Sequence, residues 1–273
     1  MAAKLLILCA DDYAASGAIS RGIAGLARAG RLTATSVMTL SPRWAQDAPA
    51  LRELHEQLDV GLHLDWTSSF ASAAGHGITL AHAISRAAFG GFDRELARTV
   101  IERQLDAFEA QWQAPPDHVD GHQHVQQLAG IREALVETLA RRYPDHKPWL
   151  RVSRVGADQA GVKGRVITAL GAAALQRLAE RAGLPCAPEL WGVYDFTGGP
   201  DRYAALMEDW LAGAPAHAVL MCHPADEQDD AGDPPDPIVP ARRWEYDALG
   251  SAAFGDLLAR HGVALARGSA VLG

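Results

Sequence analysis

Cysteine is scarce in this sequence. Cys9, Cys186 and Cys222 are the three among 273 residues, and no two form a Cys-x-x-Cys pair. So sparse and odd a set argues against a disulfide scaffold and fits a reducing cytoplasm. Long apolar runs are missing too. Residues 5–10 are apolar, but they are too few for a secretory signal core and lead straight into Asp11 and Asp12. No uninterrupted run approaches the ~18 residues of a membrane span. Positive charge is not in excess either: 25 Lys and Arg against 33 Asp and Glu leave a net charge of −8. That balance disfavours nucleic-acid and anionic-membrane partners. No Gly-x-Gly-x-x-Gly or Walker-type loop occurs, which lowers the case for phosphate chemistry.

What the chain does have is an ordinary globular composition, 48% apolar and 21% charged, and enough length for a sizeable core. Short β-rich runs alternate with helical stretches. Strands are expected at residues 4–9, 34–40, 60–64, 118–119, 149–155, 218–222 and 263–264. Helical spacing of apolar residues marks 19–29, 45–56, 94–111, 131–142 and an Ala-rich stretch at 165–181. This alternation predicts an α/β fold, a parallel sheet wrapped by helices as an open sheet or a barrel. In either form the functional site lies at the carboxyl ends of the strands. Residues 67–77 and 225–240 read as irregular loops, the second rich in Asp and Pro (Asp229, Asp230, Asp233, Pro234, Pro235, Asp236, Pro237). No repeat or linker divides the chain, so residues 1–273 are expected to form one domain.

Three Asp- and His-bearing segments stand at ends of apolar runs: Ala10-Asp11-Asp12-Tyr13, Gly61-Leu62-His63-Leu64 and the run from His118 to His124, His-Val-Asp-Gly-His-Gln-His. Carboxylates and imidazoles are the ligands that borderline divalent metals select. A hydrolytic metal needs about three protein ligands and one open position. The candidates are Asp12, His63 and one or two of His118, His122 and His124. Asp11 is placed as a general base if strand alternation turns it away from Asp12. An amide substrate also needs a general acid, for which His223 in Met221-Cys222-His223-Pro224 is the candidate. The bland readings are that Asp12 caps the helix starting near Ser16 and that His63 is a bonded core residue. Three imidazoles and a carboxylate between His118 and His124 are harder to pack without a partner. His55, His76, His82, His146, His217 and His261 read as structural or solvent-facing.

Together, in this order, the segments resemble the YdjC-like (ChbG/HpnK) carbohydrate deacetylases over nearly the whole chain. The resemblance implies an irregular (β/α) barrel of the polysaccharide-deacetylase type and removal of an N-acetyl group from an amino sugar. By position it implies Asp11 as catalytic base, Asp12, His63 and His124 as metal ligands, and His223 as acid. Arg151, His122 and Asp65 would touch substrate. One divalent metal is expected, zinc first and magnesium second, since two imidazoles and one carboxylate suit zinc better. A homodimer fits the resemblance as well. Ala14, Asp65, Gln126 and Ala225 stand where the family commonly has Gly, Asn, His and Gly. They put substrate range in question more than catalysis.

Two other functions compete. One is a metal-dependent amidase or other hydrolase acting on a non-sugar substrate. The other is a binder without turnover, for which the departures are the sole support. Trp66, Trp191, Tyr194 and Trp244 are expected near the rim, where they could stack on a sugar face.

Overall fold

A computed structural model describes residues 3–156, 159, 161–227 and 233–272. Asp229 and Asp230 of the acidic loop lie outside these. The strands are β1 (Lys4–Tyr13), β2 (Ala34–Val37), β3 (Asp59–Leu64), β4 (His118–Gly121), β5 (Trp149–Leu150), β6 (Leu190–Trp191), β7 (Val219–Cys222) and β8 (Val263–Leu265). They form one sheet in the order β5-β4-β3-β2-β1-β7-β6, with β8 pairing the start of β1. Every pairing is parallel. Isolated bridges Leu150↔Cys186 and Val155↔Leu190 join the two outer strands, so the sheet curls round towards closure. The α/β barrel-like architecture expected from the alternation is therefore present, in irregular form.

Alternation along the strands explains where each side chain goes. In β1, Leu6, Leu8 and Ala10 pack outward beneath the helices, while Ile7 and Cys9 belong to a separate inner cluster with Ala34, Trp149, Leu190, Val219 and Met221. Val60, Leu62 and Leu64 of β3 and Val119 of β4 join the outer core as well. With a period of two, Asp11, His63, His118 and Asp120 fall on the inner face. The inside of the curl is thus apolar at its amino end and polar at its carboxyl end. Gly61 is needed where β3 passes β4, because a Cβ there would enter the His118 ring.

The helices are α1 (Gly17–Arg28), α2 (Trp44–Arg52), α3 (Ser69–Ala73), α4 (Leu80–Ala88), α5 (Arg94–Trp112), α6 (Ile131–Arg142), α7 (Val162–Ala169), α8 (Ala172–Ala182), α9 (Gly199–Gly213), α10 (Val239–Gly250), α11 (Ala252–Arg260) and α12 (Gly268–Val271). None among the described residues is long and apolar enough to cross a membrane. The expected helix at 165–181 divides into α7 and α8 at Gly171, whose φ of +133° no continuous helix tolerates. Residues 67–77 are less irregular than expected, since the Ser68 side chain accepts from the N–H groups of Phe70 and Ala71 and starts α3. Strand β6 and helices α4, α9, α10 and α11 were not marked by sequence pattern. At two residues, β6 is too short to show a period.

Candidate active site

Asp11 and Asp12 end β1 without simple alternation. The β1–β2 register shifts between Ala10 and Tyr13, and Asp12 adopts φ +68°. This bulge turns both carboxylates to the same pocket. Ala14 follows at φ +71°, backbone that favours glycine, and two serines clamp it: Ser20 Oγ accepts from its N–H at 3.1 Å and Ser41 Oγ donates to its carbonyl at 2.6 Å. Ser16, not Asp12, caps α1, its side chain accepting from Ile19 N–H.

His63 is fully buried between three carboxylates. Its Nδ1 donates to Asp120 Oδ1 at 2.7 Å, and its Nε2 lies 3.4 Å from Asp12 Oδ1 and 3.9 Å from Asp11 Oδ2. These carboxylates outweigh burial and raise the imidazole to about 10. The Asp120 bond fixes the ring so that Nε2 faces the pocket, as a metal-ligating histidine requires. Asp120 is itself held by Ser36 Oγ, donating at 2.5 Å, and by Arg151 Nη1 at 3.0 Å.

The turn after β4 sorts the remaining histidines. Gln123 and His124 both take left-handed backbone, at φ 53° and 63°, within the tight turn His122–Gln127, a strain typical of functional sites. It brings His122 Nδ1 to 3.1 Å from Asp12 Oδ1. The ligand atoms of Asp12, His63 and His122 all lie within 4.8 Å of one another. His124 is not in that group. Its Nδ1 bonds Ser153 Oγ at 2.9 Å, although its ring also lines the pocket, and burial beside Arg151 holds it well below the usual imidazole range. His118 is further from the pocket still. It stacks on Trp149 at 4.3 Å and bonds Ser36 at 3.0 Å in the layer beneath. Two further acid-imidazole groups have ligand atoms close together, Asp11 with His63 and Asp120, and Cys9 with His118 and Asp120. The three cysteines are free.

Arg151 and Asp65 do not occupy the substrate-contacting places expected of them. Arg151 has no exposed surface and lies beneath Asp11, with Nη1 donating to Oδ1 at 2.6 Å and Nη2 to Oδ2 at 2.8 Å. It orients the carboxylate rather than lining the pocket. Asp65 is buried too, and its carboxylate accepts from the N–H groups of Thr67 and Ser68, at 3.0 Å each, and from the Ser68 hydroxyl. It builds the loop into α3. Gln126 likewise serves the backbone, donating to Arg151 O at 2.9 Å and Ser153 Oγ at 3.0 Å.

His223, just past β7, faces the pocket from the side opposite His63. Its Nε2 lies 3.9 Å from Asp11 Oδ2, and burial lowers it to about 4. Two residues of α10 that sequence pattern did not reveal complete the surroundings. Arg242 donates to Asp12 Oδ2 at 2.6 Å and to Asp236 Oδ2 at 2.5 Å. One turn on, Glu245 accepts from the His223 backbone N–H and from Tyr194 Oη, the latter at 2.7 Å, and burial pushes it up to about 7. Their i, i+3 spacing on α10 was the available signal, but nothing local tied it to Asp12.

Asp11, Asp12, His63, His122, His124, His223 and Arg242 line a cleft of about 800 Å³, within the range of small-molecule sites. The aromatics expected at its rim are elsewhere. Trp66, Trp191 and Tyr194 are buried, and none of the four lines the cleft, whereas Phe70 and Phe196 do.

Comparison with known proteins bears on the fold and the family. Among solved structures, a protein of Enterococcus faecalis V583 described as a candidate cellobiose-phosphate cleavage protein superposes with a TM-score of 0.70 at 18% identity, covering all of both chains. An uncharacterized protein of Agrobacterium tumefaciens C58 gives 0.55 at 12% identity, over 99% of this chain and 90% of the other. Both likenesses concern the fold alone. In sequence, chitooligosaccharide deacetylases of Yersinia pestis (strain Pestoides F) and Yersinia pseudotuberculosis (serotype O:1b, strain IP 31758) are each 30% identical over 165 residues. Each alignment takes in 58% of this chain and 63% of the relative, so the match spans less than two thirds of either protein. The model of the family described as YdjC-like protein matches residues 5–260, and the chain belongs to that family.

Proposed function

We propose that this protein is a metal-dependent hydrolase that removes the N-acetyl group from an amino sugar. The observation that carries the reading is the convergence of Asp12, His63 and His122 beside an arginine-held carboxylate, Asp11, and a pocket-facing imidazole, His223. The relatives' description as chitooligosaccharide deacetylases supports the acetyl-sugar substrate. One carboxylate and two imidazoles fit a divalent ion, zinc before magnesium. Bound there, the ion would polarise the amide carbonyl and make water more acidic.

The chain's own groups supply the rest. Asp11, held by both guanidinium nitrogens of Arg151, presents its carboxylate to take a proton from the attacking water. The proton that Asp11 takes from water passes to the departing amine by way of His223 Nε2, 3.9 Å from Asp11 Oδ2, an imidazole that burial keeps neutral until then and whose backbone is fastened to Glu245. Arg242 neutralises the outer oxygen of Asp12, leaving Oδ1 facing His63 and His122. The separate free thiols support a cytoplasmic site of action.

Acetate release from a panel of N-acetylated mono- and oligosaccharides, with zinc, cobalt or magnesium, tests the reading. Metal-dependent release that falls about a hundredfold or more in Asp11→Asn is the expected result for loss of a general base. No acetate from any sugar, in a protein that still binds the metal, would overturn it.

A further inference from the structure

Two of the proposed metal ligands have outer partners of opposite charge. His63 donates through Nδ1 to the Asp120 carboxylate at 2.7 Å, the common arrangement, in which an anion behind the ring strengthens the imidazole as a ligand. Asp12 has a cation behind it instead. Arg242 Nη2 donates to its Oδ2 at 2.6 Å. Both residues are buried, at 6% and 3% exposure, so solvent screens this charge little. Oδ2 is thereby taken, and Oδ1, beside His63 and His122, is the oxygen that Asp12 has to offer.

The guanidinium is fixed at all three of its nitrogens. Besides the bond to Asp12, Nε donates to Asp236 Oδ2 at 2.5 Å and Nη1 to the His223 carbonyl at 3.3 Å. Asp236 is anchored in turn, its Oδ1 accepting from Ile238 N–H at 2.9 Å where α10 begins. A carboxylate held by a guanidinium through a charge-assisted bond has less electron density to give to a cation. A cation bound through it is held less tightly, and its pull on an amide carbonyl is less quenched by the ligand. We infer that Arg242 tunes the metal centre: acting through Asp12 as a positioning residue, it lowers metal affinity and raises the electrophilic strength of the bound ion. This inference rests on the metal site and the deacetylation proposed above, and adds the residue that sets the strength of the ion there.

The test measures the zinc Kd of the chelator-treated full-length protein by competition with a chromophoric chelator, and kcat for acetate release at saturating zinc. Arg242→Met should tighten zinc by about tenfold or more, the scale on which outer partners shift metal affinity, and should lower kcat. Arg242→Gln, uncharged but able to donate an N–H, should move both values the same way, and it carries the test if Arg242→Met does not fold. Arg242→Lys keeps the charge and should stay close to the wild type in Kd. Asp236→Asn leaves the guanidinium charge less balanced and should weaken zinc. Damage to the fold alone weakens zinc in every variant, so tighter binding with slower turnover distinguishes charge tuning from a structural role. Weaker or unchanged zinc binding in both Arg242→Met and Arg242→Gln would overturn the inference while leaving deacetylation intact. Tighter zinc in those variants of a protein that releases no acetate from any sugar would uphold the tuning of affinity and sink deacetylation instead.

Discussion

At the scale of single residues, the centre of the site is a buried charge network. Arg151 neutralises Asp11 and Asp120 at once, and Asp120 in turn orients His63. An arginine can do this because its planar fork meets both oxygens of one carboxylate and still reaches a second group; lysine, with one compact ammonium, cannot. Arg151→Met therefore strands two buried carboxylates. It should destabilise the protein by about 3–5 kcal/mol, the usual cost of removing one partner of a buried ion pair, as read by chemical denaturation. Arg151→Lys should fold better but remain defective in turnover, since Asp11 loses its second hydrogen bond. The histidines separate at this scale as well. With zinc at about one hundred times its Kd, the folded state should gain about 2.7 kcal/mol, measured as a thermal shift reversed by a chelator. Asp12→Ala, His63→Ala and His122→Ala should abolish that shift, and His124→Ala should keep it. The reverse outcome for the last two would restore His124 to the ligand set.

At the scale of elements, α10 acts as a cover carrying Arg242 to Asp12 and Glu245 to His223, one turn apart. Burying Glu245 makes folding sensitive to pH. Its carboxyl rises from an ordinary 4.5 to about 7, so the folded protein holds a proton there that the unfolded chain has released. The stability this group contributes is complete below about 4.5 and is lost as pH rises through about 7. Asp117, raised to about 6 by burial, acts in the same direction. His223 acts oppositely: lowered to about 4, it stabilises the fold above 6.5 and loses that contribution as pH falls towards 4. Glu245→Gln mimics the protonated carboxyl and should reduce the loss of stability between pH 5 and pH 8 by roughly 2–3 kcal/mol. Urea unfolding at the two pH values checks it; an unchanged slope would mean that Glu245 ionises freely in the folded state. Other elements show how local signals compete. Gly171 overrode an Ala-rich helical pattern, and Ser68 started a helix in a segment that composition marked as loop.

At the scale of the whole molecule, strand order decides which residues meet. β1 lies centrally, between β2 and β7, and β3 and β4 follow beyond β2. Asp11, His63, Asp120 and His223 are thereby gathered from four strands onto one inner rim. The sequence by itself determined the chemistry on offer and its rough placement: the period of two in the strands and the Asp- and His-bearing segments at their carboxyl ends are local features. Strands were legible from β1 to β5, β7 and β8, because an apolar run needs no partner to be recognised. Tertiary structure alone decided that His122 rather than His124 approaches Asp12, that Arg151 serves Asp11 from beneath, and that Arg242 and Glu245 close the site from above. Those choices depend on a bulge in β1, two left-handed residues after β4, and the curl that brings α10 over the strand ends. Asp12 and Arg242 lie 230 residues apart, and a contact of that separation is set by how the sheet folds on itself, which no short stretch of sequence encodes.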